Sequence, residues 1–229
     1  MCQVTGNRGW WRRSSRSSGG TAIRDTAVVR DHWNRLAPSY DRREALIERW
    51  IAPLRKRLWA RVQGRVLEVG AGTGKNFPFH PPATEVTATD LAQQMVVRAT
   101  ERARELGLPV DVREADVQEL PFPPDSFDSA VATFVLCSVP DPVRGLRELA
   151  RVVRVGGTIH LLEHVRIDRP VVGPLMDLLD PLLVRLNGSH VNRRTVENVH
   201  RAGLEIRVME EYGPLGVVKL MEVSPGKTA

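Results

Sequence analysis

Val66-Leu67-Glu68-Val69-Gly70-Ala71-Gly72-Thr73-Gly74 is the stretch whose reading decides the fold. An apolar strand runs straight into three glycines at alternate positions, so backbone can approach a ligand with no Cβ in the way. A nucleotide-type ligand is expected there, with a tight ligand-free turn as the plain alternative. The spacing is G-x-G-x-G, not the G-x-G-x-x-G of dinucleotide binders, and no Gly-Lys-Ser/Thr follows as a P-loop requires. A phosphate is therefore not the expected guest.

Downstream, short Val-, Leu- and Ile-rich runs alternate with helical stretches. The runs are Arg65–Val69, Glu85–Thr89, Val110–Glu114, Phe127–Phe134, Thr158–Glu163, Glu205–Glu210 and Leu215–Val223. The helical stretches are Leu91–Leu106, Pro142–Val153 and Val191–Ala202. Such alternation predicts an α/β fold, a parallel sheet with helices on both faces, because parallel strands need long crossovers. Tyr212-Gly213-Pro214 leaves room only for a tight turn, so the last strand should run antiparallel to its neighbour. Upstream, Ala22 to about Leu58 repeats apolar residues at three- and four-residue steps. Pro38 and Pro53 are expected to break that stretch.

Composition bounds the function. The chain has 229 residues, 42% hydrophobic and 26% charged, which suits one large folded domain over 22–229. No apolar window reaches the roughly 18 residues of a membrane span. Cys2 and Cys137 are the only thiols, too few for a disulfide framework or a cysteine-rich zinc site. The formal charge is +6, but residues 1–20 supply Arg8, Arg12, Arg13 and Arg16 with no acid, and the remainder is nearly balanced. A nucleic-acid interface is therefore not expected. Residues 1–21 read as a flexible basic tail without a secretory signal, a surface-binding tail around Trp10-Trp11 being the alternative. The expected location is cytoplasmic, with a peripheral membrane contact left open.

Two carboxylates sharpen the glycine loop. Asp90 ends the second strand, sixteen residues after Gly74, where an acid in such folds accepts from both ribose hydroxyls. Its bland alternative is the N-cap of a helix starting at Leu91. Asp116 stands just past the third strand and could accept from a purine amine, with Leu91 and Val117 covering the ring; a solvated turn acid is the alternative. Three consecutive strand ends bearing such groups match the rule that open α/β sheets bind ligands beyond the strands' carboxyl ends.

Together, Glu68-Val-Gly-Ala-Gly-Thr-Gly, Thr89-Asp90, Ala115-Asp116 with Leu120-Pro121-Phe122, Phe127-Asp128 and Leu149-Ala-Arg-Val-Val-Arg-Val-Gly-Gly resemble the class I S-adenosylmethionine-dependent methyltransferases of the small-molecule type. The resemblance spans roughly residues 30–223. It implies a Rossmann-like seven-stranded, mostly parallel sheet with an antiparallel last strand and S-adenosylmethionine as cofactor. Carried over residue by residue, Glu68, Gly70 and Gly72 would border the methionine part, with Gly74 closing the loop. Asp90 would hold the ribose, and Asp116 with Val117 the adenine. Leu136-Cys137-Ser138-Val139, Glu163-His164-Val165, Leu179-Asp180-Pro181 and Leu186-Asn187-Gly188 look most like methyltransferase-like proteins that methylate thiols and their bacterial relatives. Some similar enzymes act on phospholipid amines. Val155 departs from the family's usual proline before the paired glycines.

The implied chemistry is an in-line displacement that needs alignment and exclusion of water, with no metal. A small apolar acceptor is expected, thiol sulfur first, then a quinol or a lipid amine. His164, closing the fifth strand, is the candidate general base for acceptors of high pKa, against a plain strand-end histidine; a thiol would need little help. Cys137 reads as structural. Tyr40-Asp41 resembles a lid over the cofactor within an N-terminal helical segment, 22–60. The apolar stretch 170–186, part of an insertion over 164–190, is expected to be an amphipathic helix with Asp177 and Asp180 opposite much of its leucine. It would cover the core, or form a greasy wall for an apolar acceptor that could complete a pocket with Val28–Trp33, a membrane-surface contact being a further alternative. His160-Leu-Leu-Glu163-His164 spells a zinc-peptidase pattern, but in a strand its histidines lie about 13 Å apart, too far to share a metal. A cofactor-binding protein without turnover and a nicotinamide-dependent oxidoreductase are the rivals. Oligomeric state is not legible.

Overall fold

The computed structural model describes residues 25–226; the expectations for the tail 1–21 lie outside them. Helix α1 (Thr26–Leu36) is capped by Asp25, whose carboxylate accepts from the Ala27 N–H at 2.8 Å. A short 3-10 turn at Ala37–Ser39 carries Pro38, and α2 (Tyr40–Trp59) follows. Pro38 ends a helix as expected, whereas Pro53 lies inside α2. Pro53 is exposed, so water can satisfy the carbonyl one turn back that loses its partner.

Seven strands form one sheet in the order β3-β2-β1-β4-β5-β7-β6. They are β1 (Arg65–Val69), β2 (Glu85–Asp90), β3 (Asp111–Glu114), β4 (Phe127–Thr133), β5 (Val153–His164), β6 (Glu205–Tyr212) and β7 (Val218–Ser224). The pairings among β1 to β5 are all parallel, and β7 runs antiparallel between β5 and β6. This is the expected Rossmann-like sheet. The fifth strand starts earlier than expected. Val153 already pairs with Phe127 before Gly156-Gly157, and the register then shifts so that Thr158 meets Ser129. The last connection is longer than a two-residue turn, because a 3-10 turn occupies Pro214–Gly216 and β7 begins at Val218.

The strands alternate their side chains between two cores, as a period of two requires. Leu67, Val69, Ala130, Ala132 and Leu161 pack with Leu146 and Leu149 of α4 (Pro142–Val152) and Val199 of α6 (Thr195–Arg201). Val66, Val131, Leu162 and Leu220 face Ile51, Leu54, Leu58 and Trp59 of α2. Helix α3 (Gln93–Glu105) buries Ala99 and Ala103 against Ala88.

Helix α5 (Val172–Asn187) departs from expectation. Asp180 points inward, accepting from His190 Nδ1 at 2.7 Å and the Val191 N–H at 2.9 Å. Leu178, by contrast, is 76% exposed and Leu182 56%. Leu175, Leu178, Leu179, Leu182 and Leu186 thus neither cover the core nor stand among the residues lining the cleft described below. What holds the helix is a buried carboxylate, not an apolar face.

Candidate functional site

A cleft of about 870 Å³ opens at the carboxyl ends of β1, β2 and β3, bounded by Gly70, Gly72, Asp90, Leu91, Asp116 and Val117. The strand ends are stitched together below it: Ala71 N–H donates to the Thr89 carbonyl at 2.9 Å and Ala115 N–H to the Asp90 carbonyl at 3.0 Å. Gly72 adopts φ +58°, and a Cβ built there meets nothing within 4 Å, so the bare backbone faces open cleft. Gly70, at φ +60°, is required for another reason: its Cβ would fall 2.4 Å from Val135 Cγ2.

Asp90 lines the cleft and is tied to backbone on both sides of it, and it is not the N-cap residue of α3. One carboxylate oxygen accepts from the Gly72 N–H and the other from the Ala92 N–H, each at 2.9 Å, so it fastens the glycine loop to the turn before α3. The helix starts at Gln93, with Ala92 as its N-cap residue. Burial is the main reason the Asp90 carboxyl is pushed up to about 6, opposed by those N–H donors and helped by the nearby Glu68 charge. Asp116 is oriented by Gln118, through the backbone N–H at 2.8 Å and the side-chain amide at 3.0 and 3.1 Å, and by Thr26 Oγ1 at 3.4 Å.

Glu68 does not line the cleft. It lies buried beneath the loop, held by Asn76 Nδ2 at 2.8 Å and His80 Nε2 at 3.0 Å. Gly74, at φ +77°, is also absent from the lining; a Cβ there would meet the Phe77 ring at 2.8 Å. His164 ends β5 as expected, yet it too is missing from the lining. Its ring lies 6.3 Å from that of Phe134, which does line the cleft. Burial lowers the His164 imidazole to about 4, which makes it neutral and a weak base near neutral pH. Cys137 is buried, its thiol pushed up to about 12 by burial, in keeping with a structural role. His160 and His164 share one strand, and no cluster of metal-ligating side chains exists among the described residues.

The other end of the cleft was only partly legible. Trp33 and Tyr40 meet edge to face with centroids 5.9 Å apart, and Lys75 Nζ sits 4.5 Å from the Tyr40 ring centroid. Arg55 lies over the Phe134 ring at 5.8 Å. Glu48 pairs with both cations, at 2.8 Å to Arg55 and 3.4 Å to Lys75, and Asp41 and Glu44 add negative charge near Lys75. Lys75 and Asn76 directly follow Gly74, a positional signal in the sequence; Arg55 carries none. Asp41 accepts from Thr73 Oγ1 of the glycine loop and from Arg102 of α3, both at 2.6 Å, which latches the start of α2 over the loop.

The residues fit an adenosyl sulfonium. They offer a glycine cradle that a Cβ would obstruct, a half-buried carboxylate with lone pairs to spare, and an oriented acid at the third strand end.

Residues 67–161 match the family described as methyltransferase domain. The chain is 44% identical over 114 residues to a phosphatidylethanolamine N-methyltransferase of Cereibacter sphaeroides, covering 49% of this chain and 55% of that protein. It is 32% identical over 156 residues to a ubiquinone/menaquinone biosynthesis C-methyltransferase of Bdellovibrio bacteriovorus, covering 65% and 66%. It is also 32% identical over 156 residues to a thiol S-methyltransferase of Homo sapiens, covering 66% and 64%. The chain thus spans just over half to about two thirds of the length of these relatives. The crystal structure of an S-adenosylmethionine-dependent methyltransferase of Thermotoga maritima shares the fold, with a TM-score of 0.67 at 19% identity over 86% of this chain and 99% of that one. The chain belongs to the class I S-adenosylmethionine-dependent methyltransferases.

Proposed function

We propose that this protein transfers a methyl group from S-adenosylmethionine to a small apolar acceptor, with a thiol sulfur favoured. The observation that carries the reading is the meeting of Gly72, Asp90 and Asp116 around one cleft at three adjacent strand ends. When bound, the cofactor supplies an electrophilic methyl group whose departure leaves a neutral thioether. The chain's own part is to hold and align. Asp90 accepts hydrogen bonds from the ribose, Asp116 from the adenine amine, and Leu91, Met95 and Val117 cover the ring. Helices α1 and α2 act as the lid, with Asp41 fastening it to Thr73, and water is excluded beneath Trp33 and Tyr40.

The cations at the far end suit a thiol. Arg55 and Lys75 would stabilise a thiolate there, with Glu48 pairing both and Asp41 and Glu44 adding negative charge near Lys75. No histidine stands among the described residues lining the cleft, which suits an acceptor that ionises without a dedicated base. A quinol or a phospholipid amine is the second reading, supported by the apolar lining of Val29, Trp33, Phe134 and Val139 and by the relatives' names. Incubation with labelled cofactor and a panel of thiols, phenols, quinols and amines tests the assignment. Methylated thiol in excess of the other products is expected. Tight cofactor binding with no product across the panel would instead make this a binding protein without turnover.

A further inference from the structure

Helix α5 carries Leu175, Leu178, Leu179, Leu182 and Leu186 at spacings of three and four residues, one stripe about 100° wide on a helix. On a helix that packs by its apolar face this stripe would be inside. Here Gly173, Asp180 and Val184 are the buried side, and the five leucines are 42–76% exposed. The anchoring is polar: besides Asp180, Arg166 holds Asp177 at 2.8 Å, and Gly188 at the helix end lies against the His32 ring of α1.

The same end of the sheet presents more apolar surface. Leu46 is 82% exposed, with Ile47 and Trp50 beside it on α2. Trp50 lies against Gly213 in the turn after β6, and two residues further Leu215 is 58% exposed. Tyr40, ten residues before Trp50, lines the cleft. Of the elements carrying these apolar residues, α2 lines the cleft, and α5 meets α1, which also lines it, through Gly188 and His32.

Charge indicates what covers them. Arg42, Arg43, Arg49, Arg169 and Arg185 are exposed on or beside these helices and pair with no carboxylate among the described residues. The neighbouring acids are largely taken: Glu48 by Arg55 and Lys75, Asp41 by Arg102, and Asp168 and Asp177 by Arg166. Only Glu44 is left on the first turns of α2.

We propose that this leucine stripe with its fringe of unpaired arginines docks the protein on an anionic lipid bilayer, the leucines entering the interface and the arginines meeting the head groups. The cleft mouth then lies close to the membrane, where apolar acceptors dissolve. The claim about the surface deepens the functional reading above but is read out without methyl transfer.

The test is sedimentation of the full chain with vesicles of phosphatidylglycerol and phosphatidylcholine, or of phosphatidylcholine alone, alongside Leu178→Ser/Leu182→Ser and Arg42→Glu/Arg49→Glu/Arg185→Glu. Binding to the anionic vesicles is expected to exceed that to the neutral ones by at least about tenfold, on the order of fivefold for each arginine in contact. The leucine variant should bind at least about tenfold less, with an unchanged melting transition and unchanged calorimetric affinity for S-adenosylhomocysteine. Should that variant not fold, the charge-reversed one, altered only at exposed sites, must lose anionic binding. Absence of vesicle binding overturns the proposal, as does equal binding by both variants, which would move the contact to residues outside this face. A dimer in analytical ultracentrifugation that the leucine substitutions dissolve would also overturn it, giving the face to a second copy of the chain. Loss of methyl transfer with vesicle binding intact would count against the enzymatic reading alone.

Discussion

Replacing Gly72 by valine separates the cleft from the fold that holds it. At φ +58° any side chain carries the cost of the left-handed region, about 2 kcal/mol. No protein atom lies within 4 Å of the new Cβ, so no steric clash adds to it. For a domain of this size about 1 kcal/mol corresponds to roughly 2–4 °C, and the melting temperature should fall by about 4–8 °C with the transition still cooperative. Binding suffers more. The added carbons stand in the space over the glycine loop, and overpacking of about 1–3 kcal/mol lowers affinity by about five- to 150-fold. Gly70→Ala is the control, because its Cβ would fall 2.4 Å from Val135 Cγ2 and must push the β4 loop aside. It should melt lower than Gly72→Val despite the smaller side chain. Circular dichroism melts and calorimetric titration with S-adenosylhomocysteine read the two quantities separately. Native affinity in Gly72→Val would refute the placement of the ligand over residue 72, and a Gly70→Ala protein more stable than Gly72→Val would refute the clash with Val135.

Cofactor affinity should fall as pH drops through about 6, the position to which burial lifts the Asp90 carboxyl, by about tenfold per unit below it, because only the ionised form accepts from both ribose hydroxyls. Linkage gives the free protein the opposite sign. A carboxyl raised in the folded state binds its proton more tightly than in the unfolded chain, so its contribution to stability grows as pH falls from 6 towards 4. Asp90→Asn should flatten both profiles, and an unchanged affinity profile in that variant would remove Asp90 from the site. His164→Ala should leave the rate on thiols within about twofold, since its imidazole is buried away from the cleft lining; a loss confined to phenols or quinols in steady-state assays would restore it as a base. Asp180→Ala should cost about 1–3 kcal/mol by stranding His190 Nδ1 and the Val191 N–H, seen as a lower melting temperature and faster amide exchange in α5. Unchanged exchange there would show that something else anchors the helix.

The sequence by itself determined the sheet and several of the residues that line the cleft. Local patterns sufficed, since alternating runs fix strands and helices, and the chemistry of Gly70, Gly72, Asp90 and Asp116 sits at the strand ends that those runs define. Even the antiparallel last strand was implied by the short connection after Tyr212. Tertiary structure alone decided what depends on partners distant in the chain. Glu68, adjacent to the loop, is drawn under it by Asn76 and His80, and His164 lies against Phe134 outside the lining. Arg55 reaches the cleft because α2 crosses the sheet, a placement no local spacing encodes. Most of all, the periodicity of α5 specified an amphipathic helix but not which side would be buried. That was settled by Asp180 meeting His190, because a carboxylate satisfied by a buried imidazole and a backbone N–H can anchor a helix from its polar side and leave its leucines outside.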